Sequence, residues 1–276
     1  MPVEEALKAK GIEPECILPD KWAYVHRETD REDIWWIRNF TGVPDSAVIL
    51  LRGGEGQPRV LDPATGKVRR INASTSLDGY RFFQLDLEAN DALFVVIGKA
   101  PEAAVPMGHE HKVPAATVEG AWKLSFESGL GAPATAVFDH LMSYTESKDP
   151  AIRYYSGTVL YRNSFSLKKK QLKGVKAWEI DLGDVKNLAR VKVNGFDLGV
   201  VWKAPVRVEV PAEYLHAGVN DLEVKVINLW PNRIIGDLQP DAVRKWTYTA
   251  SNWYTADSPL LPSGLLGPVT VSSIHE

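Results

Sequence analysis

The feature that most constrains the fold of this chain is the alternation of apolar and polar residues between Ala189 and Asp237, broken at short intervals by turn residues. Two valines alternate with charged residues and lead directly into Asn194-Gly195. Asn-Gly after an alternating run is a strong hairpin signal, because both residues tolerate positive φ. The alternation resumes over Leu198–Trp202, and Gly218–Asn220 is predicted as a later turn. Short two-faced strands joined by tight turns predict an antiparallel sandwich sheet with one buried face.

The pattern changes at Asn228–Arg233, which packs two amides, an indole and a guanidinium into one predicted loop. Indole rings stack on the flat C–H faces of sugars, while amide, guanidinium and carboxylate groups hydrogen-bond to sugar hydroxyl groups. We therefore predict a sugar-binding surface at one end of the sandwich, formed by Trp202, Asn228, Trp230, Asn232, Arg233, Asp237, Trp253 and Tyr254. The alternative is that Arg233 and Asp237 form an ion pair that pins the long irregular segment after them, with Trp230 and Trp253 as its own core.

Composition places the chain among ordinary globular proteins. With 276 residues, 45% of them hydrophobic and 24% charged, the chain is long enough for two domains. The net charge of −3 gives no reason to expect nucleic acid or an anionic membrane as a partner. No apolar run is long enough to predict a membrane span. Cys16 is the only cysteine, which excludes an intrachain disulfide and a cysteine-based metal site.

Turn residues and composition divide the chain into four segments. Residues 1–20 are predicted to form a short helix and a linker, and residues 21–100 a small β-sandwich of about seven short strands. Residues 101–117 are rich in proline and are predicted to be a linker, and residues 118–276 a second sandwich. Tyr154–Phe165 is predicted as one long strand of this second sandwich.

Ordered motifs in the second half carry a resemblance to a known family. The order VNG–DLG–W–P, GxN–LxVxVxN, NRIIGD and LPSGLLGPV (Leu261–Val269) resembles the C-terminal jelly roll of glycoside hydrolase family 106, the α-L-rhamnosidases. The first motifs also resemble the galactose-binding-like, sugar-binding domain of family 2 glycosidases. Upstream, His26–Phe40, Val60–Val68 and Asp149–Phe165 look like segments that lie between the catalytic barrel and that jelly roll.

The resemblance implies an all-β fold of two sandwiches, the second a galactose-binding-like jelly roll. It also implies that the catalytic carboxylates lie in a preceding (β/α) barrel, which is not in this sequence. The predicted surface would then bind carbohydrate or dock against that barrel, and a structural calcium is a further implication. Because MPVEEALKAKGIEPE lacks an apolar segment, no signal peptide is expected. The localisation stays open between a cytoplasmic protein and part of a longer periplasmic or secreted enzyme, which the resemblance favours.

Two other functions are kept as alternatives. A complete short glycoside hydrolase would need an acid and a base or nucleophile, and Asp139 and Asp149 are the candidates, although solvated turn-forming acids explain them as well. A purely structural, protein-binding sandwich is the other alternative. His109-Glu110-His111 has metal-ligand residue types, but it lies in the predicted linker without a third ligand, so that a polar linker is the favoured interpretation.

Overall fold

The structure, a computed structural model, describes residues 2–53, 55–71, 73–75, 79–98, 105–106, 111–250 and 253–275. They belong to two compact units, Met1–Gly108 and His109–Glu276. Strands dominate both units, and the predicted all-β class is confirmed.

The first unit is a β-sandwich. Its described elements are α1 (Val3–Lys8), β1 (Cys16–Ile17), β2 (Trp22–Glu28), β3 (Glu32–Asn39), β4 (Asp45–Arg52), β5 (Pro58–Leu61), β6 (Val68–Arg70), β7 (Ser74–Thr75), β8 (Tyr80–Leu87), β9 (Ala92–Gly98) and β10 (Val105–Pro106). One sheet has the strand order β1-β4-β8-β7 and the other β10-β6-β5-β9-β3-β2. Trp35 and Ile37 of β3 meet Ile49 and Leu51 of β4 in one core, because alternate residues of each strand point inward.

The second unit is a larger sandwich. Its described elements are β11 (His111–Thr117), β12 (Trp122–Phe126), β13 (Thr135–Phe138), α2 (Pro150–Arg153), β14 (Thr158–Leu167), β15 (Ala177–Asp181), β16 (Asp184–Lys186), β17 (Leu188–Val193), β18 (Phe196–Val201), β19 (Arg207–Pro211), β20 (Gly218–Ile227), α3 (Pro231–Asp237), β21 (Gly264–Gly267) and β22 (Thr270–His275). Single 3₁₀ turns lie at Tyr144–Glu146, Lys169–Leu172 and Ala212–Tyr214.

Two antiparallel sheets enclose the core of this second unit. A sheet of four strands has the order β11-β22-β15-β19, and a sheet of six has the order β13-β12-β14-β20-β17-β18. Trp178 and Ile180 come from the smaller sheet, and Val191, Leu222 and Val224 from the larger one, and all five are fully buried in one cluster. The larger sheet determines where the candidate site residues lie.

The hairpin signal at Asn194-Gly195 is confirmed. Both residues have positive φ, 50° and 84°, and Val193 pairs with Phe196 across the two-residue turn. The Asn194 side chain also ties this turn to the neighbouring strand β20, because its Oδ1 accepts a hydrogen bond from the backbone N–H of Asp221 at 2.9 Å. The hairpin itself is set by the local sequence.

Four local expectations were wrong. The predicted turn at Gly218–Asn220 is instead the start of strand β20. The strand predicted from Tyr154 begins only at Thr158, as β14, and helix α2 ends directly before Tyr154. The last part of the predicted linker forms β11, which pairs with β22 at the far end of the sequence, a pairing that no local pattern reveals. The predicted loop at Asn228–Arg233 leads into helix α3, with Pro231 in its first turn.

The single cysteine provides a test of the first core. Burial raises the pKa of the Cys16 thiol to about 12, and the neighbouring Glu15 carboxylate adds to this rise. A rise from 9.0 to about 12 makes the thiolate roughly a thousand times rarer in the folded chain than in the unfolded chain. We expect alkylation by iodoacetamide at pH 8, followed by mass spectrometry, to be slow in buffer and fast in denaturing urea. Equal rates would contradict the buried position of Cys16.

Candidate functional site

Strand register brings two of the predicted site residues to one end of the six-stranded sheet. Ala189 of β17 pairs with Val201 of β18 on one side and with Val226 of β20 on the other. Trp202 follows β18 and Asn228 follows β20, so both lie at the same sheet end, about 10 Å apart because one strand separates them. We call this sheet end, with Trp202, Asn228 and helix α3, the rim.

Asn228 is buried and holds the segment that leads into β14. Its Oδ1 accepts a hydrogen bond from the backbone N–H of Gly157 at 2.8 Å, and its Nδ2 donates to the carbonyl of Tyr155 at 2.9 Å. The backbone N–H of Arg233 donates to the hydroxyl of Ser156 in the same segment at 3.2 Å. Both polar atoms of the Asn228 amide are therefore hydrogen-bonded to main chain.

Asn232 has the corresponding role for the chain that enters β21. Its Nδ2 donates to the carbonyl of Leu261 at 2.7 Å and to the hydroxyl of Ser263 at 2.9 Å, and its Oδ1 accepts from the backbone N–H of Leu261 at 2.8 Å. This side chain is also buried, because helix α3 turns it toward the protein rather than toward solvent. The sequence offers no signal for this, since the partners lie about thirty residues further along the chain.

A buried ion pair orders the long segment after α3. The guanidinium Nε of Arg233 donates to Oδ1 of Asp237 at 2.9 Å, and both residues are 5% exposed. Oδ2 of Asp237 accepts hydrogen bonds from the backbone N–H groups of Trp246 and Thr247 at 2.9 and 2.7 Å, and from the hydroxyl of Thr247 at 2.7 Å. A buried carboxylate costs free energy unless hydrogen bonds of this kind satisfy its oxygen atoms. The ion pair proposed in the alternative interpretation is therefore present.

The aromatic side chains have the opposite environment. Trp202 is 61% exposed, Trp230 48%, Tyr248 91% and Trp253 84%, while Tyr254 is half-buried. Trp230 and Trp253 thus do not form a core for the long segment, which was the other half of that alternative. The predicted group separates into two sets: the amides, Arg233 and Asp237 face inward, and the indoles face solvent.

A cavity lies at the rim, lined by the two residues that flank Trp230 in the chain. It has a volume of about 240 Å³ and is lined by Lys186, Asn187, Leu229, Pro231, Asn232, Leu261, Pro262 and Ser263. The sequence analysis picked out only Asn232 of these residues as a site residue. Lys186 and Asn187 were missed because they reach the rim through the pairing of β16 with β21, in which Lys186 lies opposite Gly264.

The carboxyl groups considered for catalysis have simpler surroundings. Asp149 caps α2, because its Oδ1 accepts a hydrogen bond from the backbone N–H of Ala151 at 2.9 Å. Asp139 is exposed just beyond the end of β13.

Two tyrosine side chains of the second core are buried. Burial raises the pKa of the Tyr155 phenol to about 12 and that of the Tyr161 phenol further, so that both stay protonated near neutral pH.

Metal ligands and membrane spans were also considered. Within the described ranges, no group of three or more His, Cys, Asp or Glu side chains is arranged to hold a metal ion. His109 and Glu110 lie outside these residues, and His111 begins β11 opposite His275. The implied calcium, which backbone carbonyl groups would hold in large part, stays a prediction. None of the described helices has the length and apolar character needed to cross a membrane.

Comparison with known proteins relates the chain to glycosidases. No family model matches it. The structure of a rhamnosidase from Novosphingobium sp. PP1Y aligns with a TM-score of 0.86 and 36% identity, over 98% of this chain and 26% of the rhamnosidase. A Formosa agariphila protein, named provisionally as a beta-glucuronidase, is 38% identical over 180 residues, which cover 57% of this chain and 15% of that protein.

These matches establish a glycosidase-related fold. The chain spans about a quarter of the rhamnosidase and a smaller part of the Formosa protein, so it corresponds to one part of much longer chains. A β-glucuronidase from Ruminococcus gnavus aligns with a TM-score of only 0.41 at 22% identity, which is too low to support any argument about this chain.

The anchoring role of Asp237 can be tested by mutation. Asp237→Ala removes the acceptor for three hydrogen bonds and leaves the buried charge of Arg233 without its partner. Because breaking a buried ion pair from one side costs about 3–5 kcal/mol, we expect a loss of that size in the free energy of unfolding, measured with urea. Asp241→Ala, at an exposed position nearby, is the matched control and should change it by less than about 0.5 kcal/mol. Similar effects of both variants would contradict the anchoring role.

Proposed function

We propose that this chain is a non-catalytic accessory region of an α-L-rhamnosidase-like glycoside hydrolase of family 106, and that it supports the catalytic part of that enzyme. The rhamnosidase match over 98% of this chain and 26% of the relative supports a role as one region of a larger enzyme. In this proposal residues 21–100 form the first sandwich and residues 118–276 the galactose-binding-like jelly roll. The catalytic carboxylates lie in the rest of the enzyme, at the C-terminal end of which this region is attached.

One observation carries the docking role: exposed aromatic rings stand beside polar side chains that are already bonded. We call Trp202, Trp230, Tyr248 and Trp253 the rim aromatics; they leave large apolar areas in contact with solvent. Large apolar side chains that are exposed in this way support an interaction surface. A bound sugar needs free hydrogen-bond donors and acceptors beside the aromatic ring. The polar atoms of Asn228, Asn232 and Asp237 already hydrogen-bond to groups of this chain. The chemistry therefore favours an apolar protein partner over a saccharide.

A chimera tests the docking role. In it, this chain replaces the aligned region of the Novosphingobium rhamnosidase, and the readouts are the melting temperature and the hydrolysis of an aryl rhamnoside. Tyr248→Ser and Trp253→Ser should each lower the melting temperature of this region in the chimera by about 2 °C, because each removes apolar contact area worth about 1 kcal/mol. The same variants should leave the melting temperature of the isolated chain unchanged, since both side chains are exposed there.

Phe40→Ser in the first unit is the control: its half-exposed ring contacts Arg38 within the chain, so this variant should shift the chimera and the isolated chain equally. If the chimera melts at the same temperature with and without the rim aromatics, the docking role is lost.

A second candidate function is the binding of a neutral, plant-type saccharide at the rim, and the cavity there is the observation that favours it. Its lining combines apolar surface from Leu229, Pro231 and Leu261 with the exposed amide of Asn187. In this proposal the exposed indole of Trp230, whose chain neighbours Leu229 and Pro231 line the cavity, stacks on the C–H face of a rhamnose or galactose ring.

Calorimetry with L-rhamnose, galactose and pectic oligosaccharides tests this second function. If a sugar binds at the rim, Trp230→Ala should weaken it roughly tenfold, since it removes the stacking ring. Trp253→Ala is the comparison variant: unchanged sugar affinity in this variant would place the binding at the cavity rather than at the long segment after α3. The absence of binding for every sugar would remove this candidate and leave the docking role untouched.

A further inference from the structure

The outer face of the six-stranded sheet carries a second recess, which no function considered so far uses. It has a volume of about 290 Å³ and is lined by Leu160 of β14, Arg190 and Lys192 of β17, and Glu223 and Lys225 of β20. Three neighbouring strands therefore build it from side chains that point away from the core. We call it the basic groove.

The acidic side chains around the basic groove are already paired. Glu223 accepts a hydrogen bond from Nε of Arg162 at 2.6 Å, and Asp197 accepts one from Nε of Arg190 at 2.9 Å. The hydrogen bond from Arg190 holds the pKa of Asp197 down to about 2, so this carboxylate stays charged and bound to Arg190. In the part of the chain that the structure describes, Lys192 and Lys225 have neither an ion pair nor a hydrogen bond. Lys192 lies opposite both Asp197 and Glu223 on the neighbouring strands, and its charge helps to lower the pKa of Asp197. Four cationic side chains nevertheless share these two carboxylates, which leaves two positive charges in excess at the groove: Arg162, Arg190, Lys192 and Lys225.

The strand register makes this arrangement costly. Arg190 lies directly opposite Lys225 across β17 and β20, while Lys192 lies opposite Glu223. Like charges directly opposite each other on antiparallel strands destabilise the pair. Lys192 and Lys225 are diagonal neighbours, about 7–8 Å apart at the backbone, which brings their ammonium groups within reach of one bound ligand. An anion in the groove would offset the repulsion that the sheet maintains here.

We propose that the basic groove binds an acidic saccharide, whose anionic groups pair with Lys192 and Lys225 while a sugar C–H face packs on Leu160. The half-buried Leu160 and the aliphatic stems of the lysines supply the apolar floor that a sugar ring requires. A nucleic acid would need a much larger basic surface, and the chain carries a net charge of −3. The choice of a saccharide rests on the proposed glycosidase role, whereas the anionic chemistry rests on the groove itself.

The test is calorimetry on the whole chain with three probes. Tetragalacturonate supplies carboxylates, a sulfated oligosaccharide of similar length supplies sulfates, and methyl-esterified tetragalacturonate is the neutral control. We expect at least one acidic probe to bind and the neutral ester not to bind, with affinity falling as salt is raised because the contacts are exposed ion pairs. Whichever acidic probe binds more tightly identifies the anionic group.

Matched variants localise the binding. Lys192→Ala and Lys225→Ala should each weaken the acidic probe roughly fivefold, and the double variant by more than about tenfold. Lys169→Ala, an exposed lysine away from the groove, carries the same change in net charge and should bind like the unchanged chain. Lys225→Gln keeps much of the apolar stem and should still lose affinity. Circular dichroism melting checks that each variant is folded.

Several results would overturn the proposal: equal affinity for the esterified probe, loss in Lys169→Ala equal to that in the groove variants, or equally tight binding of a single-stranded oligonucleotide. Absence of binding by both acidic probes would overturn it as well. The docking role is judged by the melting temperature of the chimera, so that either idea can fail while the other stands.

Discussion

The organisation of the rim depends on the need to satisfy buried polar groups where β20 ends. Asn228, Asn232, Arg233 and Asp237 all lie inside the protein, where a polar atom without a partner costs free energy. Their partners are main-chain groups of segments that have little regular structure of their own. The carboxylate of Asp237 binds the backbone of residues 246–247, and the amide of Asn232 binds the chain before β21. Hydrogen bonds from these polar side chains thus hold irregular segments, which in the described part of the chain have no backbone hydrogen bonds of a β-sheet.

This use of the polar side chains determines what the surface can do. Once the amides and the carboxylate are bonded within the chain, the indoles at the rim face solvent with few free polar groups beside them. Trp253 is 84% exposed, more than a ring packed within its own domain would be. Apolar area of this kind is suited to a protein surface, and the longer relatives contain the additional chain that such a surface requires. The cavity at the rim is the part of it that retains mixed chemistry.

Local patterns predicted the strands and the Asn194-Gly195 hairpin, because periodicity and positive φ are properties of a few adjacent residues. They also picked out Trp202 and Asn228, which the strand register brings to one end of the sheet. They did not reveal which of the predicted site residues face inward, because Asn232 and Asp237 find their partners through α3 and distant segments. The pairing of β11 with β22 was missed for the same reason. The basic groove depends on the register of three strands that are far apart in sequence, so it is visible only in the folded sheet.

The two proposed surfaces adjoin on the same sheet. Lys225 pairs with Arg190 only two residues before Ile227, the last residue of β20, so the groove begins about 7 Å from the rim. A catalytic part that covers the rim aromatics would lie next to the groove. An acidic chain held by Lys192 and Lys225 would then lie beside that catalytic part. The apolar contact depends little on salt and the ionic contact depends strongly on it. The two proposed functions, docking and binding of the saccharide, would therefore respond differently to salt, although their surfaces lie only a few residues apart on the sheet.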